Sequence, residues 1–225
     1  MGNKEVYEPQ VQNQINDYNK KKGVILGPYT SHIWRDDPKH LLFLLARYKF
    51  CSKILVGKNN VLEVGCGDSF GTAIVLQTVK KVHGIDLEPL VIEDNIKRTE
   101  YGDRCSYEVL DITSRCTAVQ FDGAFALDVI EHVPKSSEEL FMGNIAKSLT
   151  SDAVCIIGTP NITAKQYASS GSAASHINLK SGESLKQLMS PYFKNVFLFS
   201  MNDEIVHTGY SPMAHYLFGI GVDKL

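Results

Sequence analysis

No stretch of the 225 residues reaches the roughly 18 consecutive apolar positions that a bilayer-spanning helix needs. The opening MGNKEVYEPQVQNQINDYNKKK also lacks the apolar centre of a secretory leader. It begins like a myristoylation signal but has Val6 where Ser or Thr is required, so no lipid anchor is expected. A surplus of one charge is missing too. The 23 Lys and Arg against 25 Asp and Glu leave a formal net charge of −2, and no broadly basic surface is expected to attract a nucleic acid. Paired cysteines are absent: Cys51, Cys66, Cys105, Cys116 and Cys155 form no CxxC and are odd in number. Such thiols suit a reducing compartment better than a disulfide framework, which makes the cytoplasm the expected location.

What is present is an alternation of short apolar runs and amphipathic stretches. At 44% hydrophobic content the chain can bury one core, preceded by a polar arm over residues 1–22. WRDDPKHLLFLLARYKFCSKIL reads as a helix capped by Asp36 or Asp37, with Pro38 in its first turn and an apolar stripe at Leu41, Leu44, Leu45 and Tyr48. Then follow strand NVLEVG, a helix from Gly71, strand VHGID, helix PLVIEDNIKRTEY, strands SYEVLDI and DGAFALD, helix SEELFMGNIAKSL and strand AVCIIGTP. Alternating βαβ units predict an α/β fold, a doubly wound and mostly parallel sheet with helices on both faces and ligands at the carboxyl ends of the strands. In the tail, SGESLKQLMSPYF reads as a helix, NVFLFSM as a strand, Asn202-Asp203 as a turn, and AHYLFGIGV as an antiparallel edge strand.

Chemistry is concentrated at three places. VLEVGCGDSFGT sets Gly65, Gly67 and Gly71 between a strand and a helix, a GxGxxxG one residue longer than the dinucleotide fingerprint. Glycines there let a ligand approach the backbone, although a tight turn alone would use them as well. Asp86 ends GID where a carboxylate can accept from a ribose diol, and Asp111 ends VLD near an adenine amino group; either could instead cap its own turn. LDVIEHV places Asp128, Glu131 and His132 at spacings that gather on one face of a helical turn.

VLEVGCGDSFG, GIDLEP, EVLDI and FDGAFALDVIEHV, in that order over about residues 58–200, resemble the class I S-adenosylmethionine-dependent methyltransferases. The resemblance implies a Rossmann-like sheet of seven strands with the last one reversed. It puts the methionine part of the cofactor against Glu63, Gly65, Cys66 and Gly67, with Asp128 close by. The ribose falls on Asp86 and Leu87, and the adenine on Asp111 and Ile112. The domain then spans 23–225: a helical cover over 23–57, the cofactor core over 58–161, and a substrate-side part over 162–225.

LDVIEHV, GTPN after the next strand, and His176 in SHINLKSGES also resemble the metal-dependent small-RNA 2′-O-methyltransferases, and the first half resembles the ubiquinone-biosynthesis O-methyltransferases. That second resemblance makes Asp128, Glu131, His132 and His176 ligands of one divalent ion, Mn, Mg, Fe or Zn. Asp128 stands where the RNA enzymes have Glu. Three readings of the cluster remain side by side: a metal site, a catalytic site in which His132, Glu131 and Asp128 act directly as base and pocket wall, and plain structure.

The implied reaction is O-methylation of a small acceptor such as a sugar, a sugar nucleotide or a catechol. GPYTSHIWRDDPKH and SMNDEIVHTGYSPMAHY are expected together to supply specificity, with Tyr29, Trp34 and Tyr210 able to stack and Arg35 and Lys39 able to pair an anion; taken singly, Trp34 reads equally as a hydrophobic plug and Arg35 and Lys39 as solvated helix-start charges. His207 and His215 read as hydrogen-bonded strand residues. A nicotinamide-dependent oxidoreductase or epimerase on the same sheet, and a non-catalytic binding module, are the competing classes. The first is disfavoured by the glycine spacing and by the lack of a Tyr-x-x-x-Lys pair.

Overall fold

The computed structural model describes residues 8–225. The myristoylation-like start lies outside them. Where the sequence suggests a polar arm, residues Pro9–Lys21 form helix α1, with Val11, Ile15 and Tyr18 on one side and none of its residues fully buried. The expected single helix over 34–55 is two: α2 (Pro28–Asp36) and α3 (His40–Ile54). Pro38 disfavours helical geometry at Asp37, which has ψ 83 and ends α2, and no side chain caps α3.

Then come β1 (Asn60–Val64), α4 (Thr72–Val75), β2 (Lys81–Asp86), α5 (Pro89–Arg98), β3 (Cys105–Val109), β4 (Phe121–Leu127), α6 (Glu138–Lys147) and β5 (Leu149–Pro160). The tail holds α7 (Ser170–Ser175), α8 (Gly182–Met189), β6 (Phe193–Asn202), β7 (Ile205–His207) and β8 (Tyr216–Lys224).

The strands form one sheet in the order β3-β2-β1-β4-β5-β8-β6-β7. Strands β1 to β5 pair in parallel, and β8 runs antiparallel to both β5 and β6. The reversed strand is therefore interior, between β5 and β6, not at the edge as AHYLFGIGV suggested. The edge belongs to β7, which returns on β6 after Asp203 and makes eight strands in place of seven. Residues 216–221 are all buried, as a strand covered on both faces requires.

Alternate strand residues feed two cores. Leu62, Ala124 and Ile157 pack with Phe141 and Ile145 of α6 and Leu185 and Met189 of α8. Val61, Phe125 and Ile156 pack on the other face with Cys51 of α3 and Val75 of α4. This layering leaves the carboxyl ends of β1, β2 and β4 together at the point where strand order reverses, the place where open α/β sheets leave a crevice. No helix among the described residues is long and apolar enough to cross a membrane.

Candidate active site

The glycine loop after β1 is fixed from several sides. The Gly65 and Cys66 amides donate to the Ile85 carbonyl at 2.8 and 3.0 Å. The Gly67 amide donates to Asp86 Oδ2 at 2.9 Å, and the Glu88 amide to Asp86 Oδ1 at 3.0 Å. Asn95 of α5 donates to the Gly67 carbonyl at 2.7 Å, and Arg98 to that of Asp68 at 2.8 Å. Asp68 in turn accepts from the Thr30 amide (2.7 Å) and hydroxyl (2.9 Å), which ties the start of α2 to the loop. Sequence reasoning missed Thr30, Asp68, Asn95 and Arg98. Only Asp68, inside GCGDSFG, carried a local signal.

Beside the loop lies a cleft of about 480 Å³. Gly65, Cys66, Gly67, Asp86, Leu87, Asp111, Ile112, Asp128 and His132 are all on its wall. Leu87 is 71% exposed at the mouth, and Ile112 is buried. Asp111 Oδ1 accepts from the Thr113 amide at 2.8 Å and hydroxyl at 2.7 Å, so this carboxylate caps its own turn as well as facing the cleft.

Glu63 is different. It does not line the cleft but lies beneath the loop, 1% exposed, with Oε1 accepting from Tyr48 (2.9 Å) and Oε2 from Thr72 (2.6 Å). Tyr48 fills the space above Gly71, where an added Cβ would come within 2.1 Å of its ring. Glu63 is thus a strut between α3 and the loop. Burial pushes its carboxyl up from 4.5 to about 7, against the pull of the two hydroxyl donors. A folded-state pKa above the unfolded one means stability that is complete at low pH and lost as pH rises through about 7. Thermal unfolding is expected to lose midpoint between about pH 5 and 8, and Glu63→Gln to flatten that slope; an equal slope in the variant would remove this account.

The end of β4 carries the junction. Asp128 has φ 58, in the left-handed region, and Oδ2 accepts from Arg47 Nη1 at 2.7 Å. Arg47, buried in the middle of α3, lays its guanidinium 3.9 Å from the centre of the Tyr216 ring. Beyond this pair opens a second cavity of about 680 Å³ between α2, α3 and the segment after β5, with His40, Lys165, His176 and His215 on its wall.

LDVIEHV is not a full helical turn of the kind its spacing suggested. Ile130–His132 make one 3-10 turn, and the positive φ at Asp128 places that residue outside it. Glu131, His132 and His176 converge, with ligand atoms all within 4.8 Å of one another; Asp128 is not in the set, because its carboxylate is engaged by Arg47. Of the four ligands that the second resemblance implies, Glu131, His132 and His176 stand together here, while Asp128 Oδ2 is bonded to Arg47.

Glu131 is fully buried; Oε2 accepts from Thr159 at 3.0 Å, and Oε1 has no partner. Burial and, next, the Asp128 carboxylate push its carboxyl well up. His132 Nδ1 is 3.1 Å from the Ser175 carbonyl, which can only accept, so Nδ1 carries the donated proton and that bond orients the ring. His176 lies with its ring 5.1 Å from that of His132, and burial followed by that neighbour lowers its pKa, which keeps it neutral.

Of the residues expected to set specificity, Tyr29 faces the first cleft and His215 the second cavity. Trp34, Arg35, Lys39 and Tyr210 are exposed and line neither of these two. His207 bonds Asn202 at 2.9 Å and accepts from the Gly209 amide at 3.0 Å, as a strand histidine would.

A glycine loop after β1 and an acid at the end of β2, beside a cleft where strand order reverses, are the features of a nucleotide-cofactor site. The sequence model of the methyltransferase domain matches residues 34–192, and the chain belongs to the class I S-adenosylmethionine-dependent methyltransferases. That membership replaces the oxidoreductase and epimerase reading. A search of curated proteins gives no significant match.

Among solved structures, N-methyltransferase NodS from Bradyrhizobium japonicum WM9 in complex with S-adenosylhomocysteine is 19% identical with a TM-score of 0.60, over 84% of this chain and 91% of that one. The methyltransferase domain of bacterial CtHen1 is 17% identical with a TM-score of 0.66, over 80% and 98%. The 1,6-didemethyltoxoflavin-N1-methyltransferase of Burkholderia thailandensis, with its acceptor and S-adenosylhomocysteine bound, is 15% identical with a TM-score of 0.62, over 99% and 93%. At these identities the likeness is one of fold.

Proposed function

We propose that the protein transfers a methyl group from S-adenosylmethionine in the first cleft to a hydroxyl of a small acceptor in the second cavity, a sugar, a sugar nucleotide or a catechol. The observation that carries this reading is the position of the Glu131–His132–His176 cluster between the two spaces: His132 lines the first and His176 the second. The second cavity is walled by Asp36, Asp37 and Asp128 against Arg47 and Lys165, so a polyanion such as RNA meets no positive surplus there.

In this reading the Gly65–Gly67 backbone holds the methionine part and Asp86 the ribose diol. Leu87 and Ile112 flank the adenine, with Asp111 at its amino group. Cys66 faces the cleft and, by its buried packing, keeps the loop close to the sheet. Transfer from a sulfonium is an in-line displacement, so holding donor and acceptor in line supplies much of the rate. With no ion on the cluster, His132 Nε2 is the base that takes the acceptor proton, and the Nδ1 bond to the Ser175 carbonyl orients the ring for it.

The same residues fit a divalent ion. An unpaired, buried Glu131 Oε1 beside two imidazoles is a donor set that a cation would satisfy, better for Mn²⁺, Fe²⁺ or Zn²⁺ than for Mg²⁺. Bound there, the ion would act as a Lewis acid on an acceptor hydroxyl.

S-adenosylhomocysteine formation measured over catechol, sugars, nucleotide sugars and amines tests the assignment. Turnover is expected with at least one hydroxyl class, and turnover confined to amines would overturn O-transfer. Separately, Asp86→Ala is expected to weaken S-adenosylmethionine binding by about 1.5–3 kcal/mol, on the order of 10- to 100-fold, since the ribose would lose charge-assisted hydrogen bonds. Calorimetry on the folded variant reads this, and unchanged affinity would remove Asp86 from the site.

A further inference from the structure

The first cleft and the second cavity share three wall residues, Ile33, Leu44 and Asp128. A methyl group handed from one space to the other would pass between them, and a sulfonium donor in the first cleft would present it near Asp128. Asp128 is the one charged member of the three, so what neutralises it decides the potential at the sulfur.

Arg47 does so at a cost. It interrupts the apolar face of α3, it is 9% exposed, and its Nε is buried without a partner while Nη1 makes a single bond to Asp128 at 2.7 Å. A buried ion pair of this kind is a poor way to hold a helix on a sheet, since an apolar residue of similar size serves as well or better. Asp128 adds a second cost, with a backbone at φ 58. Two unfavourable features meeting at the one point where the cavities join are explained by what happens there, not by stability.

We propose that Arg47 is a positioning residue that cancels the carboxylate charge of Asp128 at the sulfonium and so sets the balance between S-adenosylmethionine and S-adenosylhomocysteine. The proposal rests on the methyltransferase reading above. In the transfer, the acceptor oxygen bonds to the methyl carbon as the carbon–sulfur bond breaks. That bond's electron pair returns to sulfur, and the hydroxyl proton goes to the base. Positive charge on sulfur therefore fades toward the transition state. A bare carboxylate would hold the charged substrate more tightly than the transition state, which strengthens binding and slows the step. Arg47 removes that bias.

Calorimetry with S-adenosylmethionine and S-adenosylhomocysteine, at pH 8 with EDTA present, separates this from a packing role. Arg47→Met is expected to raise the affinity ratio of the charged over the neutral ligand by about tenfold, because an uncompensated carboxylate then faces the sulfonium. Asp128→Asn is expected to shift the ratio the opposite way, by leaving Arg47 uncompensated. The double variant returns toward wild type, and Arg47→Lys, which keeps the charge, stays near it. Loss of packing would weaken both ligands together, so single variants that leave the ratio unmoved, or move it in the same direction, overturn the proposal. If Arg47→Met does not fold, Asp128→Asn with an unmoved ratio overturns it alone. A wild-type protein that binds neither ligand would instead remove the cofactor assignment, and this proposal with it.

Discussion

Gly65→Val is expected to abolish S-adenosylmethionine binding and to lower the unfolding midpoint, because the added side chain collides with Val129 on the cleft wall. The sequence suggests that a branched side chain at this position would enter the space of the cofactor. The structure adds a collision to that: the new Cβ would come within 2.4 Å of Val129 Cγ2 and 3.2 Å of Cγ1, and Val129 stands on the same cleft wall. Gly65 also has φ 68, a conformation that a β-branched residue adopts only under strain. Strain and overpacking together come to about 2–5 kcal/mol.

Relief requires Gly65 to move, and its amide is bonded to Ile85, while the next amides hold Cys66 on Ile85 and Gly67 on Asp86. The loop that meets the cofactor is thus displaced as a unit. Gly65→Ala should be milder, and adding Val129→Ala should recover part of the loss by removing the two methyls, while the backbone strain remains. Calorimetry and thermal melts on the four proteins check this. If Val129→Ala recovers nothing, the contact with Val129 is not the cause.

The parts of this molecule that could be read from its sequence are those whose signals are local. VLEVGCG followed by a helix, and GID followed by another, announce a strand, a turn and a helix within a dozen residues. The structure has all of these, although α4 is only four residues long. Position in the sheet is a matter of distant partners. AHYLFGIGV reads as an antiparallel strand, which it is, but its interior place is set by β5 and β6, and only its run of apolar and glycine residues without polar alternation argues locally for cover on both faces.

Arg47 carried a similar unread signal, a charge inside FLLARYKF, but its partner Asp128 is 81 residues away and could not be named. The gathering of Asp128 with Glu131 and His132 failed for a different reason: spacing fixes a common face only where the backbone is helical, and Asp128 is left-handed. In α1 the stripe of Val11, Ile15 and Tyr18 was present at helical spacing and was outweighed by the polarity around it.

Exhaustive chelation is expected to reduce methyl transfer by orders of magnitude, and Mn²⁺ or a similar ion to restore it. Glu131 Oε1 has no hydrogen-bond partner although it is buried, a state that costs free energy unless something positive faces it. His132 and His176 each bring a ring nitrogen within 4.8 Å of a Glu131 carboxyl oxygen, neither hydrogen-bonds Oε1, and imidazole lone pairs beside a carboxylate would ligate a cation. Metal content, read by elemental analysis after loading, should therefore fall in Glu131→Ala, His132→Ala and His176→Ala alike, because an incomplete shell fails as a whole. It should be unchanged in Asp128→Asn, whose carboxylate is held by Arg47. S-adenosylmethionine affinity should survive in Glu131→Ala and His176→Ala, which lie off the first cleft. Equal loss of metal in Asp128→Asn would restore that residue to the coordination shell. Full turnover by chelated enzyme would remove the ion altogether and leave His132 as the base, in which case His132→Ala should lose turnover while keeping S-adenosylmethionine affinity.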